Sequence, residues 1–164
     1  MVKKIVAALL VFLMVLSALA ALAEQTAPAL TRIGVTAFSI AIPEGYVNTP
    51  DVPDEDQIGY YCKDENSIDF DVYAWVKGEE TEAALEEEAA ALAELYGSSA
   101  APVEINGISG MLYISYEEMI GETWTVYNYL FEDEYSFIEI CFWTDGSEEE
   151  IASAEAIIGT LVMG

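Results

Sequence analysis

The sequence predicts an α+β fold, in which an antiparallel β-sheet of about six to seven strands packs with two helices. Seven short segments of the 164-residue chain are strand-like, and most of them are joined by turn-type connections. Two other segments repeat apolar residues at helical spacing. Strands joined by hairpins, with helices kept separate from them, are typical of an α+β sandwich and not of a parallel sheet.

Three predicted strands precede the longer helix. The segment 36–42 alternates apolar and polar residues and ends at a Pro-Glu-Gly turn, and 57–62 is a short strand that follows an acidic loop. The segment 67–76 alternates strictly, so that Phe70 and its aliphatic neighbours share one face. The opposite face of this strand carries acidic and aromatic side chains, which indicates that it is only partly covered.

The clearest helical segment is 79–96, which is rich in alanine and glutamate and has apolar residues on one face. Gly97 follows it as the residue expected to end the helix. An Asn-Gly pair at 106–107 is the signal of a type I′ turn, and it joins the short strand 103–105 to the strand 110–116.

The remaining elements are a hairpin and a second helix. The segments 123–131 and 135–144 are the most strand-like in the chain, and three acidic residues join them. Ser147 and Glu150 form a capping-box pattern that opens a helix through Ile158. The predicted order is therefore β-β-β-α-β-β-β-β-α.

The N-terminal segment is typical of a secretory signal peptide. Lys3 and Lys4 precede an apolar run, and an Ala-Leu-Ala sequence precedes the first acidic residue. The sequence therefore predicts a signal peptide over residues 1–23, an N-terminal leader over 24–35 and a single α+β domain over 36–164. The expected location is secreted, extracellular or in the cell envelope, with no stable membrane span after cleavage. Retention of the segment as an N-terminal anchor is the alternative.

The charge of the chain excludes several classes of function. There are 30 Asp and Glu residues against 5 Lys and Arg residues and no His, which gives a formal net charge of -25. Without histidine, a Ser-His-Asp or Cys-His catalytic group and a His-ligated metal are excluded. The negative charge repels nucleic acids and anionic membranes. The expected partner is a protein, a peptide or a glycan, and a basic partner would complement the charge.

Five aromatic side chains form the candidate binding surface. They lie on strand faces opposite to the most aliphatic residues: Tyr73, Trp75, Tyr135, Phe137 and Trp143. If the helices leave this face open, the rings and the acidic residues near them would suit a basic peptide or a glycan. If the helices cover it, the same rings are a second layer of the core.

The excess of carboxylates suggests a weak calcium site, because Ca²⁺ prefers hard oxygen ligands. Asp51, Asp54 and Asp56 in the acidic loop are the candidate ligands, and no other cofactor is expected. Asp69 and Asp71 share a strand face, and their spacing also suits a pair of catalytic carboxylates. Catalysis would need one carboxyl with a raised pKa in a cleft, which no sequence pattern indicates, so the chain is not expected to be an enzyme.

Cys62 and Cys141 are the two cysteines of the chain. An oxidising extracellular compartment would allow them to form a disulfide. Each lies in a strand-like segment, so the alternative is that both are buried small apolar side chains. The sequence leaves the two interpretations open.

Two short runs, FSIAIPEGY at 38–46 and INGISG at 105–110, stand at the ends of predicted strands. Together with the order of elements, they resemble the PsbP-like fold family, which includes PsbP, the Ran-binding protein Mog and DcrB-type periplasmic proteins. The resemblance covers nearly all of residues 36–161, and it implies an α/β sandwich with a binding or assembly role. No functional residue is carried over, and the chain departs from the DcrB-type pattern in having no cysteine directly after the apolar segment.

The leading interpretation is a secreted, non-catalytic binding module whose ligand is unknown. A Ca²⁺-stabilised extracellular structural module is the first alternative, and a small carboxylate-dependent hydrolase is the second. An exposed aromatic face would favour the binding module, converging carboxylates would favour the calcium module, and a carboxyl in an apolar cleft would favour the hydrolase.

Overall fold

The computed structural model describes residues 29–33, 36–49, 56–63, 68–77, 84–119 and 121–164. The predicted signal peptide, residues 1–23, lies outside these residues. Within them, no helix is both long and apolar enough to cross a membrane. The elements in chain order are β1 (Ala29–Ile33), β2 (Thr36–Ile40), β3 (Val47–Asn48), β4 (Gln57–Cys62), β5 (Asp69–Val76), α1 (Leu85–Leu95), β6 (Ala101–Ile105), β7 (Ile108–Met119), β8 (Glu122–Glu132), β9 (Ser136–Thr144), α2 (Glu148–Ile158) and β10 (Val162–Met163).

The described strands form two antiparallel sheets, and the predicted α+β class is confirmed. The larger sheet has seven strands in the order β3-β4-β5-β9-β8-β7-β6, and the smaller has three in the order β1-β2-β10. Strand β2 differs from the prediction, because it pairs with β1 and β10 and does not enter the larger sheet. Strand β1 lies in the segment that the sequence predicts to be a leader. Its pairing supplies partners for backbone groups of β2 that a lone strand would leave unpaired.

One face of the larger sheet forms the main core. Phe70, Val72 and Ala74, the inward side chains of β5, are buried on this face as the alternation of the strand predicts. Helix α2 and the smaller sheet cover the face. The other buried members of this core are Phe38, Ile40, Ile68, Tyr129, Phe131, Ile138, Ile140, Phe142, Ala154, Ile157, Ile158 and Leu161.

Helix α1 packs on the opposite face of the larger sheet. Its Leu85 and Ala89 are buried against Met111, Leu130 and Phe137, which come from β7, β8 and β9. Leu130 and Phe137 lie toward the ends of β8 and β9 that meet at the β8–β9 turn, and Met111 of β7 pairs with Leu130. The sheet therefore has a helix on each face, and α1 packs near one end of the second face.

Helix α1 begins later than the sequence predicts. Ala84 has an extended backbone (φ -61°, ψ 150°) and gives no side-chain cap, so the described helix starts at Leu85 and not at Glu79. Residues 78–83 lie outside the described part of the chain. The apolar face of the helix starts at Leu85, which is consistent with packing against the sheet as the force that forms it.

The C-terminal end of α1 is fixed by Gly97, as the sequence predicts. Gly97 has φ +66°, a backbone conformation that favours glycine. The amide of Gly97 donates to the carbonyl of Glu94, and the amide of Ser98 donates to the carbonyl of Ala93. These two hydrogen bonds form a Schellman motif, which holds Tyr96 at the end of the helix.

The predicted Asn-Gly turn is confirmed as type I′. Asn106 and Gly107 have φ values of 53° and 79°. The side-chain amide of Asn106 also donates to the carbonyls of Gly159 (2.6 Å) and Leu161 (3.1 Å), just after α2. The turn therefore ties the edge of the larger sheet to the end of the second helix.

The N-terminus of α2 is capped by Ser147. Its hydroxyl oxygen accepts a hydrogen bond from the amide of Glu150 at 3.3 Å, as the capping-box pattern predicts. The carboxylate of Glu150 accepts from the amide of Asp145 at 2.6 Å, so it stabilises the preceding turn and not the cap residue.

Candidate binding pocket

Four strands bring one row of side chains into register on the face that α1 packs against. Asp71 pairs with Cys141, Cys141 pairs with Asn128, and Asn128 pairs with Tyr113. Residues that are directly opposed in antiparallel strands point to the same side of a sheet. The row across β5, β9, β8 and β7 therefore places all four side chains on this face.

The neighbouring row positions Glu139. This residue pairs with Tyr73 of β5 on one side and with Leu130 of β8 on the other. Leu130 packs against α1, so Glu139 lies at the boundary between the part of the face under the helix and the part beyond it.

These rows form the floor of a pocket of about 290 Å³. The ring of Tyr96, from the end of α1, stacks on the ring of Tyr113 with the centroids 6.2 Å apart, so the helix forms one wall. The lining residues that the structure describes include no lysine or arginine. They are Asp71, Tyr73, Tyr96, Tyr113, Ser115, Glu117, Val126, Asn128, Glu139, Cys141 and Trp143.

Asp71 is held by two donors, of which Trp143 lies in the pocket wall. Asp71 is 4% exposed, and its two oxygens accept from the indole N–H of Trp143 at 2.6 Å and from the side-chain amide of Gln57 at 2.7 Å. Burial raises the pKa of Asp71, the two hydrogen bonds act in the opposite direction, and the nearby charge of Asp69 raises it further. The net pKa is raised, because neutral donors do not fully replace the lost water.

Glu139 is the second buried carboxyl. It is 9% exposed and accepts a hydrogen bond from the hydroxyl of Tyr113. Burial raises the pKa of Glu139, the hydrogen bonds from Tyr113 and Cys141 lower it, and the charge of Glu88 on α1 raises it. Burial together with the charge of Glu139 also raises the pKa of Tyr113, so its hydroxyl stays protonated and acts as a donor.

The predicted pair of Asp69 and Asp71 is divided by the structure. Asp71 lines the pocket, whereas Asp69 accepts a hydrogen bond from the hydroxyl of Tyr60 at 2.5 Å. Burial raises the pKa of Asp69, and the hydrogen bond from Tyr60 lowers it. The second buried carboxyl that lines the pocket beside Asp71 is Glu139, from a different strand.

The two cysteines are both free thiols, so the possible disulfide is not formed. Strand β5 lies between β4, which carries Cys62, and β9, which carries Cys141. Strands β4 and β9 are therefore separated by two strand spacings, or about 10 Å, whereas the Cα atoms of a disulfide lie within about 7 Å of each other. Burial and the charge of Glu139 raise the pKa of Cys141 well above its usual value, so this thiol is not activated as a nucleophile.

The five aromatic residues of the predicted binding surface have three different surroundings. Tyr73 and Trp143 line the pocket. Phe137 is buried in the α1 cluster, with Trp75 packed against it at 5.9 Å between ring centroids. Tyr135 precedes β9 in the turn and is 47% exposed. Helix α1 therefore covers the part of the face around Phe137, where the rings belong to the core. It leaves accessible the part around Tyr73 and Trp143, where the rings line the pocket.

The predicted calcium ligands do not form a described site. Asp51 and Asp54 lie outside the described residues, and Asp56 is exposed, with its backbone carbonyl accepting from the amide of Ala74 at 2.8 Å. Among the residues that the structure describes, no group of three or more His, Cys, Asp or Glu side chains is placed to hold a metal ion.

Sequence reasoning missed much of the polar floor. Tyr113, Ser115 and Asn128 were not among the predicted site residues, although each is a polar residue in the middle of a long strand-like segment. Asn128 is 5% exposed and its amide donates to the hydroxyl of Ser115 at 3.1 Å. Polar residues at the centre of apolar strands were the available signal, but only the strand register shows that they meet.

Comparisons with known proteins show a likeness of fold. No protein-family model matches the chain, and no curated protein matches it. A protein of Bacteroides thetaiotaomicron VPI-5482 of known crystal structure is similar with a TM-score of 0.56 and 21% sequence identity, over 77% of this chain and 45% of that one. This chain therefore spans less than half the length of that protein.

The Ran-binding protein Mog1p of Saccharomyces cerevisiae is similar with a TM-score of 0.44 and 13% identity, over 83% of this chain and 96% of that one. A TM-score of this size is too low to argue from. The likeness to the Bacteroides protein shows a shared fold and nothing more, so the resemblance to the PsbP-like family stays a prediction.

Proposed function

We propose that this chain is an exported, non-catalytic binding module that takes a positively charged ligand in the pocket between Asp71 and Glu139. The observation that carries the proposal is the pair of buried carboxyls, which face one pocket without a lysine or arginine in its described lining. A buried charge is costly until it is paired, so a cation entering the pocket would relieve that cost.

The aromatic walls support the same proposal. Tyr73, Tyr96 and Trp143 line the pocket beside the carboxyls, and aromatic rings attract cations through their faces. Export is supported by the signal-peptide pattern of residues 1–23. N-terminal sequencing of the secreted protein is expected to find Glu24 first, and material that keeps Lys3 and Lys4 would contradict cleavage.

A small carboxylate-dependent hydrolase is the second candidate, because the pKa values of Asp71 and Glu139 are raised in a pocket. Binding is favoured over it, because each carboxyl is already held by hydrogen-bond donors: Asp71 by Trp143 and Gln57, and Glu139 by Tyr113. A catalytic acid or base needs to exchange its proton with a substrate, and these donors compete for the same oxygens.

The site is tested by mapping amide chemical-shift changes in the protein with two probes, the peptide acetyl-Gly-Lys-Gly-amide and maltotriose. The expected result is that the peptide shifts amides of the pocket strands, β5 and β7 to β9. Shifts confined to another surface with both probes, or none with either, would contradict a binding site in this pocket.

A further inference from the structure

Two of the three carboxyls that line the pocket, Asp71 and Glu139, are buried, and the donors beside them do not neutralise their charge. The indole N–H of Trp143 and the amide of Gln57 are used by Asp71, and the hydroxyl of Tyr113 is used by Glu139. These three donors and the thiol of Cys141, which also hydrogen-bonds to Glu139, are neutral, so the hydrogen bonds orient the carboxylates without cancelling their charge. Each carboxylate has about four lone-pair sites, so both retain capacity to accept more hydrogen bonds.

From this arrangement we infer that the pocket binds the ammonium or guanidinium head of an aliphatic basic group, such as a lysine or arginine side chain. The inference rests on the proposed function and names the chemistry of its ligand. Such a head is rich in hydrogen-bond donors, and its positive charge would compensate the negative charges of Asp71 and Glu139. Its aliphatic stem can lie along the aromatic walls.

A neutral sugar fits this chemistry less well. It would displace water from the pocket and leave both buried carboxylates uncompensated, which costs free energy. The volume of about 290 Å³ is at the small end for ligand pockets, which suits a single side chain better than an oligosaccharide.

A bare calcium ion also fits poorly. Asp71 and Glu139 are diagonal neighbours on β5 and β9, a relation that separates Cα atoms by about 7–8 Å. Ca²⁺ requires six to eight oxygen ligands at about 2.3–2.6 Å, and no described group of three acidic, Cys or His side chains converges in this way. Hydrogen-bond donors already lie against the carboxylates, where further metal ligands would have to stand.

The inference is tested by calorimetric titration of the protein with acetyl-lysine-methylamide and with acetyl-norleucine-methylamide, which has a similar stem and no charge. n-Butylammonium chloride and CaCl₂ at matched ionic strength are the other two arms. The lysine compound is expected to bind at least about tenfold more tightly than the norleucine compound, the effect of hydrogen bonds to charged groups. Butylammonium binding as tightly as the lysine compound would indicate a free amine, and weaker binding would indicate a side chain on a polypeptide.

Two variants connect this binding to the pocket. Glu139→Gln keeps an acceptor for Tyr113 and removes the charge, so it is expected to weaken lysine binding by about tenfold or more. Glu155→Gln removes the same charge from an exposed position on α2, the helix of the opposite face, and is expected to leave binding unchanged. Should Glu139→Gln not fold, Glu117→Gln in the pocket lining is expected to weaken binding about twofold.

The outcomes separate the inference from the proposed function. Equal binding of the lysine and norleucine compounds, with shifts at the pocket amides, would contradict the inference that the ligand is a cation. It would still support the proposal that the pocket is a binding site. Tighter binding of CaCl₂ than of the lysine compound would also overturn the inference. Binding of the lysine compound that is insensitive to Glu139→Gln and shifts amides elsewhere would overturn the site itself.

Discussion

At the scale of single residues, burial sets Asp71 and Glu139 apart from the exposed acids of the surface. Both have raised pKa values because the folded chain removes water from them, and the donors of Trp143, Gln57 and Tyr113 offset only part of that effect. A carboxylate in this state is oriented before any ligand arrives. Preorganisation of this kind lowers the cost of binding.

Removing one of these donors is expected to destabilise the fold. Trp143→Phe keeps an aromatic ring and deletes the N–H that donates to Asp71, so a buried acceptor loses a partner. The expected loss is about 1–3 kcal/mol in the free energy of unfolding at neutral pH, measured by urea denaturation. Trp124→Phe, which deletes an indole N–H outside the pocket lining, is the matched control and is expected to cost less. Equal losses in the two variants would show that the bond to Asp71 contributes nothing.

The raised pKa values predict how stability depends on pH. The folded state holds protons on Asp71 and Glu139 at pH values where the unfolded chain has released them. The free energy of unfolding therefore falls as pH rises from the ordinary carboxyl range through the raised pKa values. Urea denaturation is therefore expected to show higher stability at about pH 4.5, in the ordinary carboxyl range, than at neutral pH.

Glu139→Gln distinguishes this effect from the general relief of charge repulsion by acid. The variant cannot titrate at position 139, so its stability is expected to depend less on pH than that of the parent, with higher stability at neutral pH. Glu155→Gln removes an equal charge from an exposed site and is expected to keep the parent dependence. Identical pH profiles for the two variants would mean that Glu139 titrates alike in the folded and unfolded states.

At the scale of elements, the position of α1 determines which part of the second sheet face is accessible. Its Leu85 and Ala89 cover Phe137, and Tyr96 at its end forms a pocket wall. The sequence predicted the apolar faces of the helix and of the strands. It could not predict which part of the sheet the helix would cover, because that depends on contacts between residues far apart in the chain.

The end of α1 is predicted to depend on Gly97. Gly97→Ala places a Cβ at φ +66°, where it meets no atom within 4 Å, so the cost is the backbone conformation alone. The expected loss is about 1–2 kcal/mol in thermal or urea denaturation. Gly97→Asn is the control, and it is expected to lose less because asparagine tolerates this conformation better. An Ala variant as stable as the parent would show that the Schellman motif does not hold the helix end.

At the scale of the whole molecule, charge opposes folding. The formal net charge is -25, and of the cationic side chains that the structure describes, Lys77 is paired with Glu132 at 2.5 Å. The melting temperature is therefore expected to rise with NaCl between about 10 mM and about 0.5 M, as repulsion is screened. CaCl₂ at matched ionic strength is expected to have the same effect. A flat response to NaCl would contradict the repulsion, and an additional rise with Ca²⁺ would favour the calcium alternative.

The sequence predicts those features of the fold that depend on residues close together in the chain, and it does not predict those that depend on residues far apart. Local signals such as Gly97, the turn at 106–107 and the alternation of 67–76 predicted their elements correctly, because they act over a few residues. The smaller sheet and the pocket floor each depend on one pairing between strands that are distant in the chain, β2 with β10 and β5 with β9. The two-residue strand β10 carries too little pattern to be predicted, and it is formed by its pairing with β2.

Glu139 is a buried carboxyl that we propose pairs with a cation, so its pKa should respond to that cation. The measurement follows the side-chain carboxyl carbon of Glu139 by NMR as a function of pH, with and without saturating acetyl-lysine-methylamide. We expect a pKa above the ordinary value of 4.5 in the free protein, and a lower pKa when the cation is bound. A pKa that the cation leaves unchanged would show that Glu139 does not pair with it.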